Sequence, residues 1–178
     1  MTKKRLILAA LTLLILAFGV GCSQEDVLTE PPALTVQADG TSVTALRGTS
    51  SWQHTEDGRN QGTNSDSVHP LDAKDDMPAL DLPAKDKPKT VTLDCDVAPD
   101  KVTATSWGTD QWGQTDAAGS AVKVEKNDRD EWILTLADKD AIYSVNAEWT
   151  SHEDYEGTAT YSFYTKTQTA EKTEQAKK

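Results

Sequence analysis

Through the middle of this chain, apolar and polar residues alternate one for one. Val91, Leu93, Cys95 and Val97 are separated by Thr92, Asp94 and Asp96. Trp132, Leu134 and Leu136 alternate with Ile133 and Thr135, and Tyr143, Val145, Ala147 and Trp149 with Ser144, Asn146 and Glu148. Ala159, Tyr161 and Phe163 alternate with Thr158, Thr160 and Ser162. A period of two puts every second side chain on one face, so each run predicts a strand with one buried side. Shorter runs at 34–38, 42–46, 49–54, 101–107 and 121–126 predict further strands. Asp39-Gly40 predicts a tight hairpin turn between the first two, and Pro99-Asp100 punctuates the chain before Val102. No stretch carries a helical stripe.

Eight or nine strands suit an all-β, two-sheet sandwich. Cys95 faces inward by alternation, Trp107 follows on the next strand, and Tyr143 precedes Val145 by two positions. Immunoglobulin-type sandwiches place a cysteine, a core tryptophan and a corner tyrosine in such positions, with the second cysteine where Val145 stands here. The pattern therefore predicts an immunoglobulin/fibronectin-like sandwich following an N-terminal signal helix. In it the Tyr143 phenol bonds back to the 136–143 turn, and Cys95 packs near Trp107. The predicted core contains Cys95, Trp132, Tyr143, Val145, Trp149, Tyr161 and Phe163.

Residues 34–166 read as a single domain. Within it, 55–89 is rich in Asp, Asn, Ser, Gly, Lys and Pro and predicts a long irregular insertion, functional or mobile. Leu71, Met77, Leu80 and Leu82 are its candidate pins. Residues 22–33 end in two prolines and read as a polar tether that lifts the domain away from its attachment. Residues 167–178 show no periodicity and read as a disordered tail.

The N-terminus changes the picture. Lys3-Lys4-Arg5 precede an apolar run from Leu6 to Phe18, the layout of an export signal covering residues 1–21. The run is shorter than the roughly 20 residues of a spanning helix, which favours cleavage. It ends Gly19-Val20-Gly21-Cys22-Ser23, and this junction resembles the lipobox of bacterial lipoproteins, with Gly19 where an aliphatic residue is usual. The resemblance implies cleavage before Cys22 and acyl chains on its sulfur. That would place the domain on the extracytoplasmic face of the cell membrane. An ordinary secretory cut near Gly19 or Gly21, and an uncleaved anchor, stay open.

Further segments resemble small lipoproteins of Gram-positive bacteria and the extracytoplasmic tail of membrane peptidases of the β-lactam-sensor type. These are Pro31-Pro32-Ala33-Leu34-Thr35-Val36, Ala45-Leu46-Arg47-Gly48-Thr49 with Trp52, and His69-Pro70-Leu71. Val97-Ala98-Pro99-Asp100-Lys101-Val102 and Ala147-Glu148-Trp149 with Gly157-Thr158-Ala159 complete the set. The likeness implies a structural module; no zinc-peptidase helix accompanies it.

Residues 22–178 hold 15 basic against 29 acidic residues, a formal charge of −14. That disfavours nucleic acid as a partner and offers no basic patch to anionic lipid. With Cys22 acylated, Cys95 has no intramolecular partner and reads as a small core side chain. His54, His69 and His152 have no ligand spacing, so no metal site is predicted. Asp72, Asp75 and Asp76, and Glu153, Asp154 and Glu156, lack the calcium-loop pattern. No GxSxG or phosphate loop is present, so no catalytic residue and no cofactor are predicted.

The candidate binding residues are aromatic. Trp107 and Trp112 flank a Gly-rich turn in WGTDQWGQ. Trp112 either stands exposed for a sugar or protein partner or folds over the sandwich end as a cap. Two function classes follow. One is a non-enzymatic binding or accessory module, held by its lipid anchor and recognising envelope polymer or another envelope protein. The other is an envelope glycan- or peptide-acting enzyme using carboxylates that no motif singles out.

Overall fold

A computed structural model of the chain describes residues 27–168. Residues 1–21, read as an export signal, Cys22 and the segment from 169 onward, read as a tail, lie outside the described residues. Two antiparallel sheets pack face to face. The first contains β1 (Thr35–Ala38), β2 (Thr41–Thr44), β6 (Thr90–Asp94), β9 (Val124–Lys126) and β10 (Trp132–Thr135), in the order β2-β1-β6-β10-β9. The second contains β3 (Leu46–Glu56), β4 (Arg59–Ser65), β7 (Lys101–Gly108), β8 (Ser120–Val122), β11 (Ala141–Trp149) and β12 (Tyr155–Thr167), in the order β4-β3-β12-β11-β7-β8. β5 (Ala79–Leu82) runs parallel to the last residues of β12. The order β1-β6-β10-β9 facing β12-β11-β7-β8 is the A-B-E-D and G-F-C-C′ arrangement of an immunoglobulin-like sandwich. β2 and the β3–β4 hairpin are additions at the sheet edges.

Alternation builds the core. Val36, Val91 and Leu134 from the first sheet meet Tyr143, Val145, Ala147, Trp149, Tyr161 and Phe163 from the second, all essentially solvent-free. Tyr143 stacks on Phe163 at 4.9 Å, and Trp52 meets Trp149 edge-to-face at 5.4 Å. Such pairs add about 0.5–1.5 kcal/mol each beyond their buried area. Gly157 makes room for Trp52, because a Cβ there would lie 2.6 Å from the indole ring.

Two Asp-Gly pairs turn hairpins. Asp39 and Gly40 take φ of 44° and 82°, and Asp57 and Gly58 take 51° and 70°. Positive φ at both central residues matches the right-handed twist of the flanking strands. The second hairpin revises the expectation for 55–89. That segment holds the end of β3, all of β4, a 3-10 turn (Pro70–Asp72) and β5, so it is largely ordered sheet and strap. β4 escaped the alternation test because all seven of its residues are exposed, leaving no apolar face to detect.

Other expectations are also corrected. The strand read at 121–126 is two: β8 pairs with β7 in one sheet, β9 with β10 in the other, and the chain crosses over at Lys123. Cys95 lies just past the last paired residue of β6 and is half-buried rather than enclosed. Trp132 is likewise half-buried, donating its Nε1 hydrogen to Pro99 at 3.0 Å with Lys126 above its ring. The supposed tether is clamped onto the domain from residue 28. Trp52 Nε1 donates to the Leu28 carbonyl at 2.8 Å, Arg47 to that of Pro31 at 2.6 Å and Tyr161 to that of Pro32 at 2.6 Å.

Candidate functional site

Trp107 does not pack near Cys95. Val102 and Ala104 set the inward parity of β7, so Trp107, an odd position, faces out of the sandwich. There it joins a second cluster on the outer face of the second sheet. Leu71, Ala73, Met77 and Ile142 are its buried centre, with Leu46, Trp107, Trp112, Ala117 and Tyr164 around them. A strap, residues 66–78, crosses this face from the end of β4 to the start of β5. It meets the 109–119 loop where the Gly113 N–H donates to the Leu71 carbonyl at 2.8 Å.

Trp112 belongs to this cluster. It follows the 3-10 turn Thr109–Gln111, is half-buried, and sits edge-to-face on Tyr164 at 5.8 Å. The loop tryptophan is therefore a cap over the outer-face cluster and not a freely exposed anchor. Trp107 donates its Nε1 hydrogen to the Ala117 carbonyl at 3.1 Å and meets His69 edge-to-face at 5.6 Å.

Where the strap leaves β4 it does not close fully on the sheet. A groove of about 330 Å³ remains, walled by Leu46, Val68, Pro70 and Ala73 and floored by Ser144, Thr160 and Ser162. No local sequence pattern marks it. Its serines are the polar positions of strands whose other face forms the core, so they looked like ordinary solvated residues.

A second concavity lies at the turn between β11 and β12. His54, His152, Glu153, Asp154 and Glu156 line a polar cleft of about 250 Å³. Rings stack in a column here, Trp52 on Tyr155 at 5.7 Å and Tyr155 on His152 at 4.3 Å. His54 Nδ1 is buried and has no hydrogen-bond partner among the described residues. His69 lies apart on the strap, and no group of three metal-ligating side chains forms among the described residues. Asp100 is tied to the same turn. Its carboxylate accepts hydrogen bonds from the Ser151 hydroxyl and from the N–H groups of Thr150 and Ser151. These bonds, led by that of Ser151, hold the Asp100 carboxyl below its usual range. The carboxylate is thus engaged as a pin for the turn.

Burial, helped by neighbouring Asp94 and Asp96, pushes the Cys95 thiol up to about 12. Such a thiol is protonated at neutral pH and a poor nucleophile. Tyr161 is also pushed well above the ordinary phenol range, first by burial. Compared with known proteins, the chain matches no family model, and no curated protein or solved structure is significantly similar to it.

Proposed function

We propose that this chain is a lipid-anchored extracytoplasmic binding or accessory module, attached through Cys22 and recognising an envelope component without catalysing a reaction on it. The observation that carries the binding reading is the groove between the strap and the outer face of the second sheet. The outer face of a sandwich sheet is ordinarily solvated. Here a strap and a loop are folded over it, and a concave opening is left at one place.

The clamped N-terminal segment supports the anchored part of the reading. At most about 18 Å of extended chain separates Cys22 from Val27, and from Leu28 onward the chain is fastened to β3 and β12. It is fastened beside Trp52, which pairs with Gly157 and so lies level with Trp149 at one end of the sandwich. The cluster of Ile142, Tyr164 and Trp112 lies seven residues back along β11, about 23 Å away at ~3.3 Å per residue. The tryptophan loop and the cluster it caps are thus carried on the half of the domain remote from Leu28, and the groove opens at mid-sheet, level with Ser144 and Ser162.

The test is retention of envelope material on the immobilised residue 22–178 chain. Isolated cell-wall polymer and solubilised membrane proteins are offered separately, with a charge-matched acidic domain as control. Saturable retention of one fraction is expected. Retention of neither, or chemical turnover of a retained polymer, contradicts the reading.

A further inference from the structure

We propose that the groove under the strap is a binding site for a neutral N-acetylated amino sugar, with the acetamido group inserted between Val68 and the serine floor. This deepens the binding reading above and rests on it, but it does not depend on the lipid anchor.

Three observations carry it. The first is the Ser162 hydroxyl. Ser162 is only 5 % exposed, lines the groove, and has no side-chain hydrogen-bond partner among the described residues. Its oxygen is not sealed off, since His54 Nδ1 is the one buried side-chain polar atom without a partner among the described residues, so the Ser162 hydroxyl stands open to the groove and can donate to or accept from a ligand there. Ser162 does not stand alone: the ladders set Leu46, Ser162 and Ser144 side by side across β3, β12 and β11. An aliphatic side chain and two hydroxyls thus share one row of the floor.

The second observation is a bulge in the same place. Between Ala159 and Tyr161 the register of β12 against β3 slips by one, so Gly48 and Thr49 together oppose Thr160. The Thr160 hydroxyl donates to the Thr49 carbonyl at 3.1 Å, and Thr49 meets Ser67 of the strap at 3.2 Å between their hydroxyl oxygens. Any Cβ on Gly48 would come within 2.5 Å of the Thr160 hydroxyl and 3.0 Å of that of Ser67. Bulges concentrate where a sheet re-aims side chains toward a site. This one sets the gap beneath the strap.

The third is charge. On a chain with a formal charge of −11, no Asp, Glu, Lys or Arg among the described residues lines the groove, and His69 is the only titratable side chain among them that does. An ionised ligand would be desolvated there without a counter-charge. A neutral ligand with one apolar and one hydrogen-bonding aspect fits. An acetamido group has both: its methyl matches Leu46, Val68 and Ala73, and its amide matches hydroxyls that can donate and accept. The volume of about 330 Å³ is at the small end of ligand sites, enough for one ring and its substituent. Val68, 64 % exposed at the lip, is an apolar side chain with no partner to cover it until a ligand does.

The experiment is titration of the full chain, in detergent, with N-acetylglucosamine, glucose and glucosamine, read by backbone amide NMR shifts. Saturable shifts at Gly48, Val68, Ser144 and Ser162 are expected with the N-acetylated sugar, and affinity at least about tenfold weaker with the other two, the loss of one good contact. Ser162→Val should weaken binding by about tenfold with the fold unchanged. If that variant is unstable, Val68→Ser at the exposed lip serves instead and should also weaken binding. No saturable shift, equal binding of glucose, or shifts confined to another surface would overturn the inference. If wild type and Ser162→Val retain cell-wall polymer equally, the groove assignment fails while the binding reading stands. If wild type retains no envelope fraction, the broader reading fails with it.

Discussion

The phenol oxygen of Tyr143 accepts the backbone N–H of Ala137 at 2.7 Å, fastening the first turn of β11 to the loop that enters it. The ring is fully buried and stacked on Phe163. Burial raises the phenol above its ordinary range, so it stays protonated well past neutral pH. Tyr143→Phe keeps the ring and strands the Ala137 N–H. The expected cost is about 1–3 kcal/mol, measured by denaturant unfolding with the slope unchanged. A neutral substitution would mean that water or another acceptor already serves that N–H.

Trp112→Ala should destabilise the domain by about 3 kcal/mol, the lower end for an aromatic truncation because the ring is only half-buried. It removes the edge contact with Tyr164 and opens the cluster around Leu71 and Met77. Thermal melting, run beside retention of envelope material, checks this. An unchanged melting temperature with lost retention would restore Trp112 as an exposed anchor.

Asp100 makes the turn between β11 and β12 acid-sensitive. Its folded-state pKa lies below the unfolded value of 3.8, chiefly through the Ser151 hydrogen bond. A depressed carboxylate contributes stability that is fully present above the unfolded pKa and is lost as pH falls through the folded one. Wild type should therefore lose more stability between pH 6 and pH 2 than Asp100→Asn does. Equal losses in the two proteins would show that the carboxylate is not what holds Thr150 and Ser151.

Cys95 should react slowly with thiol reagents at pH 8 in the folded protein and rapidly once denaturant is added. The cause is a half-buried thiol pushed up to about 12, which leaves very little thiolate. Labelling at the same rate in both states would place the sulfur outside the core edge.

Period-two alternation made the sandwich legible because a strand with one dry side must alternate. Val145, Ala147 and Trp149, like Tyr161 and Phe163, are assigned to the core by the sequence alone, and all five are buried. The same rule hid β4, which has no dry side. At Trp107 a spacing analogy with Cys95 overrode the parity of Val102 and Ala104, which turns that ring outward. Composition alone made 55–89 look irregular, although Asp57-Gly58 carries the same hairpin signal as Asp39-Gly40. The groove was illegible for a different reason. It exists because a strap from one part of the chain lies over serines from two others, and no local pattern encodes that meeting.

Attachment through Cys22 is read by fractionating cells that make the wild-type chain or Cys22→Ala. The wild-type chain should sediment with membranes and resist a high-salt wash, because an acyl anchor does not depend on charge. The variant should be found in the medium or as a slower-migrating precursor. Equal membrane retention and equal gel mobility for the two proteins would show that Cys22 does not hold the domain at the membrane.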